Sequence, residues 1–140
     1  MAALATSNVK ALTSSQIAAF TNAQLGALTT AQASSLSTAQ LKALNIGQVA
    51  SLNSTIVAAL GTDQVKALSV DQFKALGTDA VAALTTAQVS AITTSQFAAL
   101  TVTQAGALTT AQAAAISSTQ VKALTLQSLL SLSTGQLQAL

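Results

Sequence analysis

Leu84-Thr85-Thr86-Ala87-Gln88-Val89-Ser90-Ala91 is the stretch from which the rest of the chain can be written out. Stepping by eight in both directions meets Leu, Ile or Phe every time, from Leu4 through Leu12, Phe20 and Leu28 to Leu132 and Leu140, with no insertion. Seventeen octads of consensus L-[ST]-x-x-Q-[VILF]-x-A, lettered a to h from the leucine, run without a gap over residues 4–139. A short unit repeated at a fixed period is the mark of a solenoid, in which each repeat buries its apolar side on its neighbours.

The letters decode as the start of a helix. Position b is Thr or Ser in twelve octads, Asn at Asn45 and Asn53, and Gly at Gly61 and Gly77, with Ala5 the one exception. These are the preferred N-cap residues, because a short side-chain oxygen or an unobstructed backbone satisfies the free N–H groups of the first turn. Position e is Gln in thirteen octads, and Thr-x-x-Gln is the spacing of a capping box, in which Gln reaches back to the N-cap amide. Charge follows the same frame. Asp63, Asp71 and Asp79 all stand at d, and Lys10, Lys42, Lys66, Lys74 and Lys122 all stand at g. Acid near a helix start and base near its end is the sorting that the helix dipole favours.

A helical projection puts c and g on one side and d, h, e, a and f on the other. The expected fold is therefore all-α: a solenoid of seventeen 8-residue repeats, each a very short N-capped helix joined to the next by one non-helical residue at b. Positions a, f and h are expected to be buried, and c and g exposed. The glutamine falls inside the apolar arc, where an unpaired amide is costly. The capping box offers it one partner, and the backbone of a neighbouring repeat offers another.

Two rival folds compete with this one. In a continuous helix, eight residues turn about 800°, so the apolar stripe drifts about 80° per octad and matches neither a seven- nor an eleven-residue period. A β-solenoid is the alternative that stays open, since short coils with Thr, Val and Gln ladders are reasonable. The high Ala content, the missing period-two alternation and the sorted charges oppose it. Neither the handedness nor the number of octads per superhelical turn follows from the core positions.

Composition narrows the function. Only eight residues are charged, five Lys against three Asp, and the net charge of +2 makes no basic patch. With no Arg, nucleic acid is not an expected partner, because phosphate binding needs clustered cations. There is no Cys, His, Glu, Tyr or Trp, so Ser and Thr lack the bases that activate them as nucleophiles. The expectation is no enzyme and no catalytic, cofactor or metal site. The row Asp63, Asp71 and Asp79 lacks the dense oxygen ligation of a Ca²⁺ site and reads as dipole stabilisation beside Lys66 and Lys74. Phe20, Phe73 and Phe97 stand at a and f and read as packing substitutions. Ile46, Val70, Val102 and Leu126 break the polar rule at c. No apolar run is long enough to insert into a membrane, and no signal peptide is visible.

Within one octad, Leu84-Thr85-x-x-Gln88-Val89-x-Ala91 resembles the first helix of transcription activator-like effector repeats. The second helix and base-reading loop of those repeats are missing here, so DNA reading does not carry over. The array as a whole resembles the tandem L-[ST]-x-x-Q-[VIL]-x-A tracts of very large bacterial surface or secreted repeat proteins, some of them adhesin-like. That resemblance implies an extracellular or cell-surface spacer or scaffold. The runner-up is a binding module whose Thr-rich face, with Thr30, Thr38, Thr62, Thr78, Thr86, Thr94, Thr110 and Thr134 at c, contacts an ordered surface such as ice or a polysaccharide. Residues 1–140 read as one solenoid domain. Because Met1, Ala2 and Ala3 fall in frame and Leu140 is again an a residue, it is expected to be a piece of a longer array or a designed repeat protein. Apolar ends, around Leu4 and Val9 and around Leu132, Leu137 and Leu140, predict self-association end to end.

Overall fold

The computed structural model describes residues 4–140. Seventeen helices follow one another: α1 (Thr6–Ala11), α2 (Ser14–Ala18), α3 (Asn22–Gly26), α4 (Thr30–Ser35), α5 (Thr38–Ala43), α6 (Ile46–Ala50), α7 (Ser54–Ala59), α8 (Thr62–Ala67), α9 (Val70–Lys74), α10 (Thr78–Ala82), α11 (Thr86–Ala91), α12 (Thr94–Ala98), α13 (Val102–Gly106), α14 (Thr110–Ala114), α15 (Ser118–Ala123), α16 (Leu126–Leu130) and α17 (Thr134–Ala139). Each starts at position c, one octad per helix, and no strand occurs among the described residues. The β-solenoid alternative is excluded.

One octad holds very little helix by itself. The N–H of f donates to the b carbonyl four residues back, at 2.8–3.2 Å throughout, and the a residue closes the turn with a three-residue bond to the f carbonyl. Such a unit is far below the length at which an isolated helix is stable. Local support comes from the caps: Thr85 Oγ1 accepts the Gln88 N–H at 3.1 Å while Gln88 Oε1 accepts the Thr85 N–H at 2.7 Å. The same pair of bonds recurs from Thr13 with Gln16 to Ser133 with Gln136. Gly61 has no side chain to offer, so there only the Gly61 N–H to Gln64 Oε1 bond is made.

The break between helices is longer than the single residue expected. Both a and b are extended, as at Leu36 (φ −61°, ψ 135°) and Ser37 (φ −75°, ψ 158°). The extra extended residue has a structural use. It turns the a carbonyl out of the helix, where a later octad captures it.

Packing supplies the stability. Each helix lies against the helix three octads later, α1 with α4, α2 with α5, and so on to α14 with α17. From Gln32 onward the e-position glutamine reaches back slightly further, to the end of the helix four octads earlier. Gln88 Nε2, for example, donates to the Leu60 carbonyl at 2.6 Å and the Val57 carbonyl at 3.0 Å. One superhelical turn therefore takes between three and four octads, and the a carbonyl meets its partner 28 residues on.

The interior is one continuous core running from Val9 to Ile116. Position f is fully enclosed from Val9 to Ala113, with Phe73 and Phe97 on the adjacent helices α9 and α12 both at 0% exposure. Position a is nearly so, and Phe20 packs partly buried against the same core. One expectation, full burial at h, changes. Position h is half-buried along most of the array and exposed at Ala11, Ala19 and Ala27, while the glutamine at e is buried, 1–7% exposed from Gln32 onward. The reason is directional. Positions e, a and h face the preceding coil and f faces the following one, so Val9 at 0% is covered although it lies in the first helix. Leu132 is also buried, at 6%.

Four octads lack the e glutamine, carrying Asn8, Ile56, Ala80 and Ser128 instead. Ser128 Oγ still reaches the Leu100 carbonyl at 3.2 Å, and Asn53 Nδ2 takes the Gly26 carbonyl near Ile56. Ala80, itself 3% exposed, has no side-chain amide to offer Leu52 or the Gly77 N–H. Ala80→Gln restores both bonds and is expected to raise the unfolding free energy by about 1–2 kcal/mol. A lower urea midpoint than the parent chain would show that this coil has closed over the missing side chain.

Candidate functional site

With a, e and f consumed by packing, chemistry is left to the outer surface, which carries c, d and g. Because helix n sits against helix n+3, the outer residues sort into three columns. The column of α2, α5, α8, α11, α14 and α17 presents Ser14, Thr38, Thr62, Thr86, Thr110 and Thr134 at c, one hydroxyl per helix without interruption. The five threonines are exposed. Thr30 and Thr78 fall in a second column and Thr94 in the third.

The apolar breaks at c fall outside the uninterrupted column. Ile46 on α6 and Val70 on α9 are stacked neighbours, 55% and 39% exposed. Val102 on α13 and Leu126 on α16, 43% and 70% exposed, are another such pair, with Leu130 beside them at 75%. Each pair is 24 residues apart in sequence, the separation of helices that lie against each other.

Asp63, Asp71 and Asp79 do not converge. They start α8, α9 and α10, three successive helices that belong to three different columns, and no group of three potential metal-ligating side chains gathers among the described residues. Each acid lies in the first turn of its own helix, with Lys66 and Lys74 in the last turns of α8 and α9, where dipole stabilisation needs no partner. Lys42 and Lys66 lie on the neighbouring helices α5 and α8.

The glutamine makes both of the contacts expected of it. Its Oε1 holds its own helix start, and its Nε2 serves the open carbonyls at the end of an earlier helix, as for Gln72, Gln96 and Gln112. One side chain thus joins local capping to the superhelix. Ala83-Leu84-Thr85-Thr86-Ala87-Gln88 spells out the segment that carries this device, and it stands unchanged at residues 27–32 and 107–112. The chain matches the ALTTAQ repeat over residues 1–30, 22–55, 43–78, 57–94 and 71–110.

The chain belongs to the ALTTAQ repeat family. No curated protein and no solved structure matches it. In the ALTTAQ octad, the Leu carbonyl, the Thr hydroxyl and the Gln amide are the three polar groups through which successive coils and helix starts are held, while the second Thr is left free on the surface. No helix among the described residues is long and apolar enough to cross a membrane.

Proposed function

We propose that this ALTTAQ array is a non-enzymatic structural spacer or scaffold, carried by a secreted or surface-exposed bacterial protein. The observation that carries the reading is the use of the octad itself. Its positions a, e and f are spent on holding one coil to the next. A device repeated at every step sets length and stiffness by the number of repeats, and solenoid stability is a sum of such neighbour terms. The sequence also lacks the His, Cys and Glu from which most active sites are assembled. The bacterial surface setting rests on the resemblance to tandem octad tracts of large surface proteins. Calorimetric titration with metabolites and sugars is expected to show no saturable heat. A small molecule bound at micromolar affinity by one or two octads would overturn the proposal.

A second reading is favoured by the uninterrupted hydroxyl column from Ser14 to Thr134. A regular, weakly charged row of threonines, with Lys42, Asp63 and Lys66 on the same helices, suits contact with an ordered surface such as ice or a polysaccharide. Side-by-side helices lie about 8–10 Å apart, so neighbouring hydroxyls repeat on that scale. If this column is the binding face, Thr62→Lys with Thr86→Lys abolishes thermal hysteresis or glycan retention, and Thr78→Lys with Thr94→Lys leaves it intact. A parent chain showing neither property removes this reading and leaves the spacer standing.

A further inference from the structure

Thirteen of the seventeen c positions are Thr, Ser or Asn, and Ile46, Val70, Val102 and Leu126 are the exceptions. Ile46, Val70 and Val102 stay exposed although their helices are flanked on both sides, α6 by α3 and α9, α9 by α6 and α12, and α13 by α10 and α16. Position c points outward, away from the coils before and after it, and Leu126 shares that position. The four helices also share a side of the superhelix. A turn longer than three octads slips each step of three backward around the axis, and the step of four from α9 to α13 slips forward again. With the 28-residue reach of the glutamine bond as one turn, an octad advances about 103°, which keeps the four helices within about 50° of one another. Thr86 on α11 comes round on the opposite side.

We infer that this apolar strip is a lateral interface on which two copies of the chain lie side by side and antiparallel. The path from α6 to α16 takes about three turns, and stacked helices about 8–10 Å apart make the strip roughly 25–30 Å long. That is the width of a standard-size protein interface, about 800 Å² on each partner. The strip's own order names a second copy as the occupant. Its spacings of 24, 32 and 24 residues read the same in both directions. Reversing one copy therefore brings Ile46 to the height of Leu126 and Val70 to the height of Val102. Position g, exposed beside c, is complementary in the same sense. Leu130 on α16 stands opposite the small Ala50 on α6, and Lys74 on α9 stands opposite Gly106 on α13. A parallel pair sets Leu130 on Leu130 and Lys74 on Lys74. Asp71 and Lys74 are the only charged residues on the four helices, so in the antiparallel pair no like charges meet. Each contact occurs twice about a two-fold axis, and the association closes as a dimer.

Sedimentation over a wide concentration range tests this, and the weight-average mass is expected to rise towards that of two chains. Val70→Lys with Val102→Lys is expected to weaken association by about tenfold or more. Thr62→Lys with Thr86→Lys adds the same charge at c on the other side of the superhelix and is expected to change it less than about twofold. Circular dichroism checks that each variant is folded. If the strip variant is not, Val70→Thr with Val102→Thr, which installs the residue commonest at c, decides in its place. The chain has no cysteine of its own, so Ile46→Cys with Leu126→Cys reports the orientation. A short bis-maleimide is expected to join residue 46 of one copy to residue 126 of the other, positions too far apart to be bridged within one copy. A monomer at every concentration overturns the inference. Equal weakening by the two lysine variants, or linkage of residue 46 to residue 46, does so as well.

Discussion

Gln88→Ala is expected to lower the unfolding free energy by about 3–5 kcal/mol, while the same change at Gln16 costs about 1 kcal/mol or less. Both residues occupy position e and both cap their own helix, Gln88 with Thr85 and Gln16 with Thr13. The difference lies beneath them. Gln88 is 1% exposed, and its Nε2 also donates to Val57, Ala58 and Leu60. Truncation leaves a buried carbonyl and a helix-start N–H unserved, at about 1–3 kcal/mol for each buried group, and opens a cavity besides. Gln16 is exposed, and water replaces what is lost. Urea unfolding of the two variants measures the contrast. Equal losses would mean that the amide's only work is local capping.

The second large effect concerns frame. Deleting the whole octad Thr85–Ile92 is expected to preserve a single cooperative transition and move the melting temperature by less than about 5 °C. After that deletion Gln96 lies 28 residues beyond Leu60, so each coil still meets an equivalent coil. Deleting only Thr85–Gln88 removes half as many residues but is expected to lower melting by about 15 °C or more, or to split it into two transitions. It removes Gln88 and leaves Gln96, Gln104 and Gln112, which now serve Leu68, Leu76 and Leu84, four residues out of register across the cut. Calorimetry of the two deletions decides between a lattice of equivalent octads and a core tolerant of any apolar register.

Much of this was legible beforehand because the signals are local. An N-cap acts through the three residues that follow it, so Thr at b and Gln at e could be recognised from their spacing alone. The dipole acts within one turn, so Asp63 at d and Lys66 at g marked the two ends of the same helix. Burial at h was misjudged because a helical projection treats every apolar neighbour as equal. It knows nothing of the direction in which the next coil lies. The burial of Val9 beside the exposure of Leu4 has the same origin.

The sequence by itself determined the unit: eight residues, one capped helix, a polar outer face, and an apolar arc holding one amide. Those properties depend on contacts inside the octad or on a periodicity that any neighbour would satisfy. Only the tertiary structure decided the superhelix, because an eight-residue period is compatible with many numbers of octads per turn. The bond from Gln88 to Leu60 selects a reach of 28 residues, which places helix n beside helix n+3 and gathers Thr38, Thr62, Thr86, Thr110 and Thr134 into one column. That choice depends on how closely extended a and b residues let two coils approach, a condition set between distant parts of the chain and written in no single octad.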